Sequence, residues 1–167
     1  MDKSWIDKLQ FKDDGLMPAV IQDYANGQVL MVGYMNKEAV KLTLESGLVH
    51  FYSRSRQKMW KKGEISGHIQ KVREILLDCD EDTLLIKIEQ ECASCHKGYR
   101  TCFYRKVNSD GSLETIEKKI FEPKDIYLRT SPDVASGRCG VSPSKKKNLD
   151  WGGFTNNGID TRNVEGY

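Results

Sequence analysis

Short runs of apolar and β-branched residues, separated by turn residues, dominate the first 127 positions of the chain. Two such runs, Ala19–Ile21 and Val29–Val32, flank Asn26-Gly27, a dipeptide that accepts the positive φ angles of a tight hairpin turn. Asp110-Gly111 gives a second hairpin signal, directly before the run Leu113–Phe121. The pattern therefore predicts strands that pair with neighbours close in sequence.

One helix is indicated among these runs. Asn36 is a suitable N-cap residue, and Gly47 is well placed to end the helix. Its apolar positions near one stripe are Ala39, Val40, Leu42 and Leu44. Further β-prone runs are Leu48–Ser53, Val72–Leu77, Thr83–Ile88 and Cys102–Val107. Because helix is scarce and the strands are short, the sequence predicts an α+β fold, mainly antiparallel β with few short helices.

The composition changes near the end of the chain. Residues 128–167 contain few aliphatic residues, many Gly, Ser, Asn and Asp, and the basic run Lys145–Lys147. Such a segment buries too little apolar surface to offset the entropy lost when it becomes ordered. We therefore predict one domain over residues 1–127 and a flexible C-terminal extension over residues 128–167. A partner-binding arm that uses Trp151, Phe154 and the lysines is the alternative.

Charge and cysteine content narrow the function. The 167 residues include 26 basic and 24 acidic side chains, a formal net charge of +2. This balance argues against nucleic acid as a partner, since proteins that coat nucleic acid have a basic excess. No apolar run approaches the length of a membrane span, and the first residues lack the apolar centre of a signal peptide. Five cysteines in a chain expected in the cytoplasm point to thiols or metal ligands rather than disulfides.

The acidic pentapeptide Asp78-Cys79-Asp80-Glu81-Asp82 joins two predicted strands. Side chains alternate in an extended chain, so the three aspartates are expected to face one way and Cys79 the other. Three hard carboxylates suit a magnesium-like cation, whereas a soft thiolate suits zinc. An acidic hairpin turn with a buried cysteine is the alternative for this segment taken alone.

Three more cysteines and a histidine follow within eleven positions: Cys92, Cys95, His96 and Cys102. Two kinds of zinc site are compatible with them. A site formed by Cys79, Cys92, Cys95 and Cys102 would be closed and structural. A site formed by Cys79, Cys95 and Cys102 would leave the fourth position for water, as in catalytic centres. The spacing alone leaves both open.

Six motifs follow one another in order between Leu9 and Tyr127. They are Gly33–Asn36, Tyr52–Arg56, Trp60–His68, Asp78–Asp82, Cys95–Gly98 and Cys102–Tyr104. Together they resemble the phosphoribosyl-AMP cyclohydrolase family. The resemblance implies a zinc- and magnesium-dependent hydrolase that opens the purine ring of phosphoribosyl-AMP between N1 and C6, the third step of histidine biosynthesis.

The resemblance also implies which residues bind the metals. Zinc would be bound by Cys79, Cys95 and Cys102, and magnesium by Asp78, Asp80 and Asp82. It implies an intertwined homodimer whose subunits share the zinc site. Two positions depart from the family pattern. Cys92 stands where relatives usually carry a small residue, and Lys97 replaces the usual threonine.

The expected chemistry needs a proton carrier near the zinc. A zinc-activated water is a strong nucleophile near neutral pH, but three thiolate ligands temper its acidity, so a nearby base should help. The candidates for proton transfer to the leaving nitrogen are His96, His68 and Glu64.

The substrate is a small phosphorylated nucleotide, so cations and an aromatic surface are expected around it. Arg54 and Arg56 would share a strand face and form forked bonds to phosphate oxygens. Ser53 and Ser55 would point the other way, or join the same cradle if the strand turns into a loop. Trp60 can stack on the purine or belong to the core. Three further cations, Lys61, Lys62 and Arg73, are candidates for phosphate or members of a solvated face.

A zinc-stabilised nucleic-acid-binding module is the competing function. It would use Arg54, Arg56 and the lysines on nucleic acid, with the four cysteines as a structural site. The net charge disfavours this function, because neutralising about six or more phosphates normally leaves a basic domain. The aspartate cluster disfavours it as well, because carboxylates repel nucleic acid.

Overall fold

The structure is a computed structural model that describes residues 4–127. The predicted extension over residues 128–167, which includes Cys139, lies outside the described residues. The elements in chain order are a 3-10 helix (Ser4–Lys8), β1 (Met17–Asp23), β2 (Val29–Met35), α1 (Lys37–Ser46), β3 (His50–Ser53), β4 (Lys58–Lys61), β5 (Gln70–Leu77), β6 (Leu84–Gln90), β7 (Arg105–Val107), β8 (Leu113–Thr115) and α2 (Lys124–Tyr127).

A four-stranded sheet with the strand order β2-β1-β6-β5 forms the centre of the fold. β1 pairs antiparallel with β2 and parallel with β6, and β5 pairs antiparallel with β6. Two antiparallel hairpins, β3–β4 and β7–β8, lie outside this sheet. The predicted α+β class, with mainly antiparallel strands and few short helices, is confirmed.

Local sequence signals account for the first half of the domain. Gly27 has a φ of 74°, and its N–H donates to the carbonyl of Asp23 (2.9 Å), which closes the predicted β1–β2 turn. The side chain of Asn36 accepts a 2.8 Å hydrogen bond from the N–H of Ala39 and so caps α1. The left-handed Gly47 ends α1 with a bond to Thr43. The predicted hairpin and helix are therefore confirmed.

The core lies on one face of the sheet. Side chains alternate between buried and half-buried along the central strands β1 and β6. α1 packs against β2, β3 and the 3-10 helix. The largest fully buried apolar side chains are Phe51, Ile6, Met17, Ile21, Leu30, Met35, Leu84, Ile86, Ile88, Val40 and Val49. Among residues 4–127, no helix is long and apolar enough to cross a membrane.

Three strands differ from the predictions. β4 was not predicted, because only Met59 and Trp60 are apolar in its sequence Lys58–Lys61. The run Cys102–Val107 is a strand only at Arg105–Val107, and Leu113–Phe121 only at Leu113–Thr115. All six residues of β7 and β8 are exposed, so their pairing is not supported by burial in one chain.

Candidate active site

The acidic pentapeptide is a tight turn between β5 and β6, not an extended segment. Glu81 has a positive φ of 63°. Asp78 Oδ1 accepts 3.0 Å hydrogen bonds from the backbone N–H groups of Asp82 and Thr83. The prediction that strand alternation aligns the aspartates is therefore wrong. The turn itself gathers Asp78, Asp80 and Asp82, with one carboxylate oxygen of each within 4.8 Å of the others.

Hydrogen bonds favour the charged form of Asp78 in this cluster. Partial loss of hydration acts in the opposite direction, but the bonds from Thr83 and Asp82 hold the pKa of Asp78 below its usual range. Asp82 Oδ1 in turn accepts a 2.7 Å bond from the hydroxyl of Thr83. Three carboxylate oxygens at this spacing can hold a hard divalent cation such as Mg²⁺. Cys79 is exposed in the same turn.

Cys95 and Cys102 lie together on the loop between β6 and β7. Cys95 is only 4% exposed, whereas Cys102 faces a cavity. Removal from water and the neighbouring Cys95 thiol raise the pKa of Cys102 to about 11, against the opposing charge of Lys62. The Cys102 thiol therefore keeps its proton at neutral pH unless a soft cation displaces it.

The three predicted zinc ligands do not meet within one chain. Cys79, Cys95 and Cys102 are free thiols, whereas Cys92 is disulfide-bonded. The prediction that the cysteines form no disulfides is therefore wrong for Cys92, and the four-cysteine zinc site lacks the thiolate it would need there. Within residues 4–127, the sulfurs of the first three do not all lie within 4.8 Å of one another. A single chain thus brings two of the predicted ligands together and holds the third, Cys79, on a separate exposed turn.

Arg100 anchors the loop between β6 and β7, residues 91–104, to the sheet; we call it the cysteine loop. Its guanidinium group pairs with the buried carboxylate of Asp23 at the end of β1. It also donates to two backbone carbonyl oxygens at the start of the loop. At the end of the loop, the N–H of Cys102 donates to the carbonyl of Leu30 (2.7 Å). The two adjacent thiols are therefore held at both ends of their loop.

Gly98 allows the second half of this loop to close. Its φ is 92°, and a Cβ at this position would lie 2.0 Å from the carbonyl oxygen of Phe121. The N–H of Ile120 donates to the carbonyl of Gly98 (2.7 Å). Only glycine fits a left-handed backbone against another backbone at this distance.

A cavity of about 450 Å³ opens beside the cysteine loop. Six of the predicted site residues line it: Arg56, Trp60, Lys61, Glu64, His96 and Cys102. One wall is a tight turn in which Gly63 has a φ of 83°, and a Cβ there would lie 2.6 Å from the backbone carbon of His68. The volume is typical of a pocket for a small molecule.

The other predicted substrate residues lie at the end of β3 and on the turn that follows it. Ser53, Arg54 and Ser55 are outside the cavity wall. Arg54 stacks 3.9 Å over the ring of Tyr34, while the N–H of Arg56 donates to Ser53 Oγ (3.3 Å). The prediction that Arg54 and Arg56 share a strand face is wrong, because the chain turns directly after Ser53. The chain becomes a loop here, which is the condition under which Ser53 and Ser55 were expected to join the phosphate cradle.

The three candidates for proton transfer occupy different positions. Glu64 and His96 are exposed and line the cavity. His68 is 4% exposed, and its ring meets that of Phe121 edge-on at 4.9 Å. Burial and the nearby charge of Lys62 lower the pKa of His68, so its ring is neutral at pH 7. Its Nε2 has no hydrogen-bond partner among the described residues.

Lys62 belongs to the site, although its sequence context is also typical of a solvated face. Its Nζ donates a 2.6 Å hydrogen bond to the carbonyl of Ser94, next to Cys95. Burial lowers the pKa of Lys62, and the thiolate forms of Cys102 and Cys95 act in the opposite direction. Nothing in the sequence signals this contact, because Ser94 is 32 positions away.

A buried amide pair supports the same loop and was also missed. Gln70 is fully buried, and its Nε2 donates to Gln90 Oε1 (2.7 Å) and to Ser94 Oγ (3.1 Å). The two glutamines face each other across the antiparallel pair β5–β6. The signal available in the sequence was a glutamine at the first position of β5 and another at the last position of β6.

Comparison with known proteins gives the same family as the motifs. A family model described as phosphoribosyl-AMP cyclohydrolase matches residues 31–104. A phosphoribosyl-AMP cyclohydrolase of Chlorobium phaeovibrioides is 49% identical over 127 residues, 76% of this chain and 93% of the relative. That of Methanococcoides burtonii is 51% identical over 122 residues, 73% of this chain and 98% of the relative. That of Methanoregula boonei is 55% identical over 122 residues, with 73% and 96% covered.

These relatives match over nearly their whole length, and the residues matched by the family model include every motif of the candidate site. They confirm both the family predicted from the motifs and its class as a hydrolase. The chain belongs to the phosphoribosyl-AMP cyclohydrolase family.

Proposed function

We propose that this chain hydrolyses the purine ring of phosphoribosyl-AMP. Water would add to C6, the N1–C6 bond would break, and a proton would pass to N1. The observation that carries the proposal is the cavity in which an indole, a carboxylate, an imidazole and a thiol converge: Trp60, Glu64, His96 and Cys102. A zinc-stabilised nucleic-acid-binding module has no comparable support among residues 4–127.

The donor sets fit the two metals of the proposal. The three carboxylates of the acidic turn offer hard oxygen ligands within 4.8 Å of one another, which suits magnesium. The thiols of Cys95 and Cys102 are adjacent and soft, which suits zinc. We assign zinc to Cys79, Cys95 and Cys102, and magnesium to Asp78, Asp80 and Asp82.

A second copy of the chain would complete the zinc site by supplying Cys79. Two observations support this homodimer. The third thiol lies apart from the other two within one chain, and it is exposed. Large apolar side chains are exposed on the edge strand β2 and around β7–β8: Val32, Phe103, Val107, Leu113 and Ile116. Exposed apolar side chains in such number are typical of an interface.

The dimer can be tested by sedimentation velocity of the full chain. We expect a dimer in the presence of zinc and a weaker dimer for Cys79→Ser. A chain that stays monomeric with zinc at micromolar concentration would refute a shared site. Phe103→Asp is a second variant, because it places a charge on the apolar surface without touching a proposed ligand.

The residues of the cavity have separate tasks in the proposed reaction. When bound, zinc supplies Lewis acidity that activates a water molecule near neutral pH, and magnesium supplies charge for phosphate oxygens. Arg56 and Lys61 offer cations to the phosphates, and Trp60 offers a flat surface to the purine. Glu64 and His96 are the groups that can exchange a proton with the leaving nitrogen.

The buried position of His68 gives it a different task from that of His96. Since it does not reach the cavity wall, we assign it the support of the turn that carries Glu64. His96→Asn should therefore lower kcat with little change in stability, whereas His68→Asn should lower the melting temperature first. If both variants lose the same kcat and His68→Asn keeps the parental melting temperature, His68 takes part in proton transfer instead.

A spectrophotometric assay of ring opening tests the function directly. We expect turnover of phosphoribosyl-AMP with added zinc and magnesium, and loss of turnover after chelation or in Cys102→Ser. Asp80→Asn should raise the magnesium concentration needed for half-maximal turnover. No turnover by the folded, zinc-loaded dimer would refute the proposed activity, and unchanged magnesium dependence in Asp80→Asn would remove the carboxylates from magnesium binding.

A further inference from the structure

We propose that Lys62 is a positioning residue of the zinc site: its ammonium group supplies the fixed positive charge that holds the Cys95 and Cys102 thiolates on the metal. This inference rests on the proposed zinc site. It assigns a task to a side chain that is not a proposed metal ligand and that the sequence offered only as a candidate for phosphate or a member of a solvated face.

The side chain of Lys62 is held at both ends. Its backbone N–H donates to the carbonyl of Val49 (3.0 Å), directly after β4. Its Nζ donates to the carbonyl of Ser94 (2.6 Å) and lies 5.7 Å from the ring centroid of Trp60. A lysine on a solvated face has no such anchors and keeps its rotamer freedom. The ammonium group is therefore localised.

The anchor point lies one peptide from a proposed ligand. Ser94 directly precedes Cys95, and its N–H donates to the carbonyl of Arg100 (3.0 Å) within the same loop. The hydroxyl of Ser94 accepts a bond from buried Gln70 (3.1 Å). Lys62 thus donates to a residue whose N–H and hydroxyl are already hydrogen-bonded, so the carbonyl that accepts from the ammonium group has a defined position.

The charge of Lys62 acts on both thiols of the loop. Its Nζ bonds to the residue before Cys95, and its side chain lines the same cavity as Cys102. The ammonium group is therefore close to both thiols and attracts their thiolate forms. Three thiolates on one Zn²⁺ leave a net negative charge in a partly enclosed cavity. A localised cation reduces the free energy of holding that charge.

The neighbouring cations do not serve the same purpose. Arg56 also lines the cavity, but it belongs to the turn after β3, where it bonds to Ser53. Lys61 lines the cavity as well and is adjacent in sequence. It is therefore the matched control for a lysine that faces the substrate rather than the thiols.

The test is the zinc affinity of the full-length protein, measured at fixed pH and protein concentration by competition with a chromogenic chelator. We expect Lys62→Met to bind zinc about 10- to 100-fold more weakly than the parent, the range typical for groups that support metal ligands. Lys62→Gln keeps a hydrogen-bond donor without the charge and should be similarly weak. Lys62→Arg keeps the charge and should stay within a few-fold of the parent.

Lys61→Met should leave zinc affinity unchanged. Parental affinity in Lys62→Met, or equal weakening in Lys62→Arg and Lys62→Gln, would overturn the inference. Circular dichroism of each variant identifies unfolded protein, and the Arg–Gln comparison decides the question if Lys62→Met does not fold. If the parent itself binds no zinc, the proposed zinc site and this inference both fail. If the parent binds zinc and Lys62→Met binds it equally well, only this inference fails.

Discussion

The buried pair between Asp23 and Arg100 predicts a large loss of stability from an almost isosteric substitution. The side chain of Asp23 is 5% exposed and that of Arg100 is 28% exposed. Asp23→Asn keeps the oxygen that accepts from the N–H of Ala25 (2.9 Å) but removes the charge that faces the guanidinium group. Breaking a fully buried pair costs about 3–5 kcal/mol, and a hydrogen bond to a charged group contributes about 1.5–3 kcal/mol. Because Arg100 remains partly hydrated, we expect a loss of about 2 kcal/mol.

The assay is equilibrium unfolding in urea, at one protein concentration and with metals chelated, since bound metal and dimerisation both add to apparent stability. Glu89→Gln is the matched control. It also breaks an acid–arginine pair, with Arg73, but the two side chains are 54% and 31% exposed, so less than about 1 kcal/mol should be lost. A loss below about 0.5 kcal/mol in Asp23→Asn, or equal losses in both variants, would refute the reasoning.

Three further predictions follow from single positions. Gly98→Ala should lower the melting temperature by several degrees, because it strains a left-handed backbone and displaces the Phe121 carbonyl; an unchanged melting temperature would contradict the observed contact. The depressed pKa of His68 means that the unfolded chain takes up the proton first, so stability should fall as pH drops below about 6.5. His68→Gln should lose less stability over that interval in urea titrations, and identical pH slopes would exclude this origin. Cys92→Ser should leave the zinc content per chain unchanged, because the disulfide-bonded Cys92 offers no thiolate to the metal; loss of zinc would contradict the three-thiolate site.

Features that depend on neighbours in sequence were predictable. The Asn36 and Gly47 caps of α1 and the turn at Gly27 follow from residues a few positions apart. The acidic cluster was predicted for the wrong reason, since the turn around Glu81 rather than strand alternation brings the carboxylates together. The motifs identified the family because the comparison uses only the residue types and their order along the chain. It does not depend on a correct prediction of the backbone geometry.

The supports of the site were not predictable, because their partners are distant in sequence. Lys62 bonds to a carbonyl 32 positions away, and Arg100 pairs with a carboxylate 77 positions away. β4 was not predicted for a related reason. Its two lysines are typical of a polar loop. The ring centroid of Trp60, however, lies 5.1 Å from that of Phe51 on the paired strand β3. In each case tertiary contacts, not local propensity, determine the position of the side chain.

The distribution of thiols links metal binding to assembly in the proposed enzyme. Cys95 and Cys102 are held together on a loop that is bonded to β1 and β2, whereas Cys79 lies on the exposed turn after β5. Two thiolates alone form an incomplete zinc site. If the third ligand comes from a second copy, every zinc ion bound also contributes free energy to the dimer, and dimerisation raises zinc affinity by the same amount. The exposed apolar side chains of β2 and β7–β8 then influence zinc binding. The surface that they bury stabilises the dimer, and only the dimer has the complete set of zinc ligands.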